Sequence, residues 1–233
     1  MVLNELPKSP RPPHTALPPT APTTTTRRLA LGAIAGPVLF TVAWLVLGLI
    51  QPGYTVLGTR IWPYSPIAQP ISGLGLGKTA PYMNTAFILS GVLLLAGVIG
   101  VIGSLPAGGR LSTRRISAAL MALSGLGFIL VGLFDLDHPA IHLFGGTLLL
   151  ATPVITFLVF GGHLRGVPGW RRLGTSLMVA SPVTLLLYVL YALSFDQHAV
   201  ALNHGVAGLA QRVLFVEILF WFVAVAHHAR RQT

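Results

Sequence analysis

The chain has 233 residues, of which 53% are hydrophobic and only 9% are charged, and its formal net charge is +10. A soluble domain carries about a quarter charged residues, so this composition excludes an ordinary soluble globule. The absence of cysteine excludes disulfides, a thiolate nucleophile and cysteine-ligated zinc. The basic residues flank apolar runs and form no stripe with interleaved aromatics, which argues against a nucleic-acid partner.

The N-terminal segment is predicted to be a disordered, Pro/Thr-rich cytoplasmic tail over residues 1–28. Residues 1–26 hold seven prolines and few apolar side chains, so they cannot bury enough surface to offset the entropy of ordering. The Arg27-Arg28 pair resembles a twin-arginine export signal. The apolar stretch that follows is too long for a signal peptide, however, and we interpret it as a retained first helix.

Six long apolar runs follow, and each has about the 20 residues that a membrane-spanning helix needs. Their apolarity is continuous rather than alternating, which favours helices over the strands of a barrel. The predicted fold is therefore an all-α bundle of six transmembrane helices over residues 29–229, with a short cytoplasmic tail at 230–233. The predicted helices cover about 29–50, 82–103, 116–134, 140–161, 173–193 and 206–226.

The distribution of Lys and Arg predicts the orientation of this bundle. If the N-terminus is cytoplasmic, twelve of the fifteen basic residues fall on the inside, as the positive-inside rule requires. An even number of spans then places the C-terminus on the same side. We expect a multi-pass protein of a bacterial cytoplasmic membrane with both termini inside.

Two further features predict how the bundle packs. The loop 51–81 is rich in Pro, Gly, Tyr and Trp, which predicts that it lies against the helix ends at the membrane interface. Small residues inside the helices predict close helix approach. They are Ser90, Gly97, Gly100, Gly125 and Gly132.

The extracytoplasmic side collects most of the unusual polar residues. Asp135, Asp137 and His142 surround the connection between the third and fourth helices, and His204 precedes the sixth. Glu217 lies deeper, near the centre of the sixth helix. Carboxyl and imidazole groups are the usual general acids and bases, so these five are the candidate catalytic residues.

His138 and His142 are four residues apart, so on a helix they would share one face. Asp137 and His204 could complete a divalent-metal site with them. The pair lacks the Glu that follows the first His of a zinc-protease helix, and Pro139 lies between the two. No cofactor is therefore predicted, and a metal at His138 and His142 is a weak alternative.

Arg212 lies about two turns into the sixth helix, a depth at which a guanidinium needs a partner. Asp135, Asp137 and Asp196 are the only acids at matching depth. One interpretation is an ion pair that locks the sixth helix to the third or fifth. The other is an anion site in which Arg212 grips a phosphate or carboxylate.

A carboxylate at the depth of Glu217 costs about 3 kcal/mol on insertion scales. We expect it to face the bundle as a hydrogen-bonded carboxylic acid, with a proton-relay or general-acid role as the alternative. It lies about 140° around the helix from Arg212, so the two are not a same-face pair. Its candidate partners on the fifth and fourth helices are Ser176, Thr184, Tyr188, Tyr191, Thr152 and Thr156.

Several short segments along residues 29–229, taken in chain order, together resemble a known family. They are Gly36-Pro37, Ile71–Gly77, Met83-Asn84 with Phe87 and Gly91, Asp135 and Asp137, His142, and Gly208–Arg212. In these segments the chain resembles the bacterial family known as domain of unknown function 998. The resemblance implies a six-helix integral membrane protein of actinobacteria and related bacteria, with no general activity assigned. It adds Ser72, Asn84, Gln211 and Arg212 as candidate ligand-binding residues.

The predicted function is a multi-pass membrane protein with a polar pocket on its extracytoplasmic side that binds a lipid or another amphipathic molecule. The alternative is an intramembrane enzyme, hydrolase-like or cyclase-like, that acts on a lipid or isoprenoid through Asp, His and Glu acid–base chemistry. A small transporter is disfavoured, because intramembrane charges are few and no pair of broken helices is evident. Membrane lipid and a small amphipathic substrate are the expected partners. Enzymatic activity and oligomeric state stay open.

Overall fold

The computed structural model describes residues 24–106 and 111–231, and most of this part of the chain is helical. It contains six helical segments that are long and apolar enough to cross a membrane. The prediction of an all-α bundle with six membrane-spanning helices is therefore confirmed. The six spans are Thr24–Ile50, Gly77–Ser104, Leu111–Leu133, Pro139–Arg165, Arg171–Ser194 and Ala207–Arg231.

The described residues form nine α-helices, because some spans are divided and one short helix lies in a connection. The helices are α1 Thr24–Ala30, α2 Gly32–Ile50, α3 Ala80–Ser104, α4 Leu111–Leu133, α5 Pro139–Leu150, α6 Thr152–Arg165, α7 Arg171–Ser194, α8 Gln197–Ala201 and α9 Ala207–Arg231. The fourth span was predicted as one helix but is divided at Ala151, since Pro153 cannot donate a backbone hydrogen bond to Leu149.

The outer helices extend beyond their predicted ranges. Residues 24–28 of the predicted tail belong to α1, and residues 230–231 belong to α9. The first extension is explained by packing, because a Cβ added at Gly103 of α3 would lie 2.7 Å from the methyl carbon of Thr26. The rest of the predicted tails, 1–23 and 232–233, lies outside the described residues.

Neighbouring helices approach most closely at glycines. A Cβ added at Gly97 of α3 would lie 2.1 Å from the backbone nitrogen of Ala33 in α2. A Cβ at Gly91 of α3 would lie 2.6 Å from the carbonyl oxygen of Gly125 in α4. Any side chain at these points would separate the helices, so the predicted close approach at Gly97 and Gly125 is confirmed.

The middle of the bundle is an aromatic cluster centred on Phe40 of α2. Its ring lies 4.9 Å from Phe87 of α3, 4.8 Å from Phe128 of α4 and 4.9 Å from Phe215 of α9, measured between centroids. All four rings are almost fully buried. Burial of several rings at one point fixes how α9 is rotated against its neighbours. Arg212, three residues before Phe215, is thereby turned toward the bundle interior.

Three connections meet at one end of the bundle, which we call the capped end. They are residues 51–79, 134–138 and 195–206. The opposite end, where both ends of the described chain lie, is called the basic end. At the capped end, β1 (Tyr54–Val56) pairs with antiparallel β2 (Thr59–Ile61).

The connection 51–79 lies against the helix ends, as predicted. After the hairpin it continues through two 3-10 turns, Ile71–Gly75 and Gly77–Thr79. Its backbone bonds directly to the start of α9, where the Gly208 nitrogen donates to the Ala68 carbonyl at 3.2 Å. The loop thus forms a lid over the end of α9.

Candidate functional site

Arg212 is buried beneath the loop 51–79, with only 7% of its surface exposed. Its guanidinium donates hydrogen bonds from two nitrogens to atoms of the loop and of its own helix. Nη1 donates to the carbonyls of Pro66 (2.6 Å), Gln69 (3.0 Å) and Gly208 (2.9 Å), and Nη2 donates to the Tyr64 hydroxyl (2.5 Å). Carbonyl dipoles and a phenol therefore meet the charge at the two terminal nitrogens, whereas the buried Nε has no hydrogen-bond partner among the described residues.

Two neighbouring residues make this arrangement possible. Gly208 lies one turn before Arg212, and a Cβ there would lie 2.2 Å from the Gln69 carbonyl oxygen, so only glycine lets the loop reach the helix. The indole ring of Trp44 in α2 faces the guanidinium, and the Arg212 Cζ lies 5.4 Å from the ring centroid. A cation over an indole face is further stabilised by the ring quadrupole.

Two glutamines extend the same contact network. Gln211 accepts a hydrogen bond from the Ile71 nitrogen at 2.7 Å and donates to the Tyr191 hydroxyl of α7 at 3.1 Å. Gln69 is fully buried and donates to the Val200 carbonyl of α8 at 2.9 Å. We call Tyr64, Gln69, Gln211 and Arg212 the cap lock, because they join the loop 51–79 to α7, α8 and α9.

The predicted ion pair between Arg212 and an Asp is wrong. The acids at the capped end have other partners: Asp137 accepts from the Leu57 nitrogen at 2.9 Å, and Asp135 pairs with His138 at 3.1 Å. The loop 51–79 supplies carbonyl oxygens to the guanidinium. This contact could not be predicted, because the loop is far from Arg212 in the sequence. A phosphate or carboxylate ligand at Arg212 would have to displace these carbonyls.

The Tyr64 hydroxyl is the one titratable loop group in the cap lock. Its burial raises its pKa above the ordinary value, while the charge and hydrogen bond of Arg212 act in the opposite direction. The raised pKa of this phenol means that the neutral hydroxyl is favoured in the folded protein. The cap lock is therefore built for the neutral form of Tyr64.

The other predicted catalytic residues do not form one reacting centre. His142 is buried, and its Nδ1 contacts the Phe134 carbonyl at 2.7 Å. His204 is exposed in the connection after α8. Asp196, considered from the sequence only as a partner of Arg212, caps α8, and hydrogen bonds from the backbone nitrogens of Ala199 and His198 lower its pKa. Each of these groups has a local structural partner or faces solvent.

The predicted metal site does not assemble. Within 24–106 and 111–231, no group of three or more His, Cys, Asp or Glu side chains is placed to hold a metal ion. His138 is 62% exposed and turns toward Asp135, whereas His142 is buried. The prediction that His138 and His142 share one helix face is wrong. Helix α5 begins only at Pro139, and His138 precedes it with non-helical dihedral angles.

Two further ligand candidates lie in or beside the 3-10 turn of the loop. Ser72 is partly exposed within Ile71–Gly75. Asn84 of α3 donates to the Gly75 carbonyl at 3.2 Å. A Cβ added at Gly75 would lie 2.5 Å from the Asn84 side-chain oxygen, so a side chain there would displace the Asn84 amide. Asn84 thus holds the loop against α3.

Glu217 has a different environment, near the middle of α9. It lies ten residues after Ala207, or about 15 Å along the helix at 1.5 Å per residue. Thr184 of α7, one of the predicted partners, lies 3.0 and 2.9 Å from its two carboxyl oxygens. Trp221, one turn further along α9, donates its indole N–H at 2.9 Å.

Glu217 lines a lateral groove between α7 and α9. The groove has a volume of about 470 Å³, within the range of small-molecule sites. Val179 and Phe220 are 62% and 58% exposed on its walls, so it faces lipid in a membrane-embedded bundle. Its lining residues are Thr175, Ser176, Val179, Ala180, Val183, Glu217, Phe220 and Trp221.

Three residues of these sites were missed from the sequence. Tyr64 and Gln69 complete the cap lock, and Trp221 donates to Glu217. A signal was present for Trp221, since residues four apart on a helix are neighbours. Gln69 was also visible as an isolated amide in an apolar loop, where a buried polar group must find partners.

Comparison with known proteins identifies one match. The sequence model of the family described as "Protein of unknown function (DUF998)" matches residues 34–228, which is most of the chain. No curated protein and no solved structure matches the chain. The matched region includes all six spans in whole or in part, the cap lock and the groove.

Proposed function

Because the chain belongs to the DUF998 family, whose description names no activity, we propose a function from its geometry: the protein binds an amphipathic membrane molecule in the groove between α7 and α9. The single observation that carries this proposal is that Glu217, near the middle of the membrane-spanning helix α9, lines a lateral groove of about 470 Å³. A polar group is costly at this depth and is usually functional. Glu217 would anchor the polar group of the bound molecule.

The lining supports a ligand that is mostly apolar. Val179, Val183 and Phe220 provide apolar walls for a hydrocarbon chain. The hydroxyls of Thr175 and Ser176 lie about one turn from the Arg171 end of α7, so polar groups recur between the basic end and Glu217. A membrane molecule could enter sideways from the bilayer.

The proposed site differs in place from the pocket expected on the extracytoplasmic side. At the capped end, the guanidinium of Arg212 and the amide of Gln211 are bonded to the loop 51–79 and to α7. The groove offers a carboxyl that contacts Thr184 and Trp221 and has open space beside it. We therefore propose binding at the groove and a structural role for the cap lock.

We propose binding rather than catalysis because the described groove lining contains no second acid–base side chain beside Glu217. An acid–base mechanism needs a second proton-transfer group near the reacting atoms. The described residues of the groove include no His, Asp or Lys beside Glu217.

We also propose that the capped end is extracytoplasmic, in a bacterial cytoplasmic membrane. Among the described residues, Arg60 and Lys78 lie at the capped end, and most other basic residues lie at the basic end. This bias matches the positive-inside rule. Since the chain has no cysteine, single cysteines at Leu57 and Leu111, both exposed, test it. A membrane-impermeant thiol reagent on intact cells should label L57C and not L111C, and the reverse would contradict the orientation.

Photocrosslinking tests the groove. A lipid with a diazirine in its acyl chain should label peptides from 175–183 and 217–221 in the purified protein. Val179→Trp fills the groove from an exposed wall position and should reduce this labelling several-fold. Leu186→Trp is the matched control, since Leu186 is similarly exposed on α7 but lies outside the lining. Equal labelling of all three proteins would contradict the proposal.

A further inference from the structure

The hydrogen bonds around Glu217 can be counted atom by atom. The Thr184 hydroxyl has a single hydrogen but lies 2.9 Å from the Ala180 carbonyl and about as close to both carboxyl oxygens of Glu217. If the Glu217 carboxyl carries a proton, its O–H donates to the Thr184 hydroxyl oxygen, and the Thr184 O–H donates to the Ala180 carbonyl. Trp221 then donates to the other carboxyl oxygen. Every hydrogen has an acceptor in this arrangement.

The ionised form is satisfied less well. A carboxylate can accept about four hydrogen bonds, but the described residues offer it only the Thr184 hydroxyl and the Trp221 indole. The lining contains no second titratable side chain and no cation. Arg212, the nearest charge along α9, is bound in the cap lock and lies on another side of the helix. A lone carboxylate in hydrocarbon is therefore disfavoured against the acid.

The neutral acid also determines what kind of group can bind to it. Its one hydrogen is given to Thr184, so the remaining capacity of its oxygens is to accept. A partner in the groove must then donate a hydrogen bond. An ester has no donor, and a phosphate would bring a negative charge to the middle of the membrane. A hydroxyl donates without a charge.

We infer that the groove binds lipid alcohols, long-chain or isoprenoid, whose hydroxyl donates to a Glu217 carboxyl that carries its proton at neutral pH. This inference rests on the proposed function and names its ligand class. The hydrocarbon chain lies along Val179, Val183 and Phe220. An uncharged headgroup can reach the mid-membrane depth of Glu217, which a charged one reaches only at high cost.

Labelling with dicyclohexylcarbodiimide tests the protonated state. The acid adds across the reagent: its proton moves to a carbodiimide nitrogen while a carboxyl oxygen bonds to the central carbon. In lipid nanodiscs at pH 7, peptide mass spectrometry should find this apolar reagent on Glu217. Glu217→Gln, which keeps the shape and the bonds to Thr184 and Trp221, should remove the label. A water-soluble carbodiimide should instead modify the exposed Asp137 and Asp196.

Competition within the same experiment tests the ligand class. An isoprenoid alcohol should slow the labelling of Glu217 several-fold, whereas the phosphate ester of the same alcohol should not. Equal protection by both compounds, or by neither, would overturn the assignment to lipid alcohols. An unlabelled Glu217 at pH 7 would overturn its protonation and leave the proposed function standing if the photoreactive lipid still marks the groove. Loss of that crosslink would remove the proposed function itself.

Discussion

The cap lock and the groove each contain one isolated ionisable side chain, and the two side chains differ in their hydrogen-bond partners and in the space around them. Arg212 has four acceptors, three from the loop folded over it and one from its own helix, and is 7% exposed. Among the described residues, the Glu217 carboxyl is hydrogen-bonded to Thr184 and Trp221, and Glu217 borders open space between helices. A charge that the protein encloses and bonds at both terminal nitrogens is part of the fold. Unused hydrogen-bonding capacity next to a cavity is the better indicator of a ligand.

The largest effect is expected from Arg212→Leu. The loop carbonyls of Pro66 and Gln69 would lose this donor, and a buried unsatisfied group, as at the fully buried Gln69, costs on the order of 1–3 kcal/mol. The thermal midpoint in detergent should fall strongly, and amides of the loop 51–79 should exchange hydrogen faster. Arg115→Leu, at an exposed position of α4, is the control and should change little. A stable Arg212→Leu protein with a protected loop would show that the cap lock is incidental.

Gly208→Ala should release the loop without touching a charge. The added Cβ would lie 2.2 Å from the Gln69 carbonyl oxygen, so either the loop or α9 must move, at a cost of about 1–3 kcal/mol. Gly162→Ala is the matched control, because nothing lies within 4 Å of its added Cβ. Hydrogen exchange of the loop compares the two. Similar exchange in both variants would mean that Gly208 does not control docking.

Alkaline pH should open the cap lock at Tyr64. Burial raises the pKa of this phenol in the folded protein above its unfolded value of about 10. Its contribution to stability is therefore fully present below about pH 10 and is lost as the pH rises through the folded pKa. Loop exchange should accelerate there, in step with tyrosinate absorbance. The Tyr64→Phe variant has no phenol to ionise at this position. If its loop exchange still accelerates at the same alkaline pH, ionisation of Tyr64 is not the cause.

The smallest effect is expected from Glu217→Gln. An amide can donate to Thr184 and accept from Trp221 as the neutral acid does, so the free energy of unfolding should stay within about 1 kcal/mol of the wild type. Replacing Arg212 should therefore destabilise the fold strongly, whereas replacing the neutral Glu217 carboxyl by an amide should not. A large loss of stability in Glu217→Gln, measured by thermal unfolding in detergent, would indicate that the ionised form holds the helices.

The sequence was sufficient for features that follow from local composition. The apolar runs predicted six spans, and Gly97 and Gly125 predicted close helix contacts because the lack of a side chain acts wherever two helices cross. Thr184 was one of six candidates for Glu217, since helical spacing limits which residues can reach a given depth. These inferences needed no knowledge of the loops.

The capped end could not be predicted in the same way. The partners of Arg212 are backbone carbonyls more than 140 residues away in sequence, together with one on its own helix, and every residue type carries such a carbonyl. Pairing Arg212 with Asp135, Asp137 or Asp196 considered side chains alone. The split of the fourth span at Ala151 and the start of α5 at Pro139, by contrast, follow prolines that are visible in the sequence, and the prediction of one helix over 140–161 did not use Pro153.

A cryo-electron microscopy structure of the full chain in lipid nanodiscs, supplemented with an isoprenoid alcohol, would test the central claim most directly. We expect elongated density between α7 and α9 that ends within hydrogen-bonding distance of Glu217, and Arg212 contacted only by protein. Ordered lipid or phosphate density on Arg212, with the loop 51–79 displaced and the groove closed by its own side chains, would contradict this account.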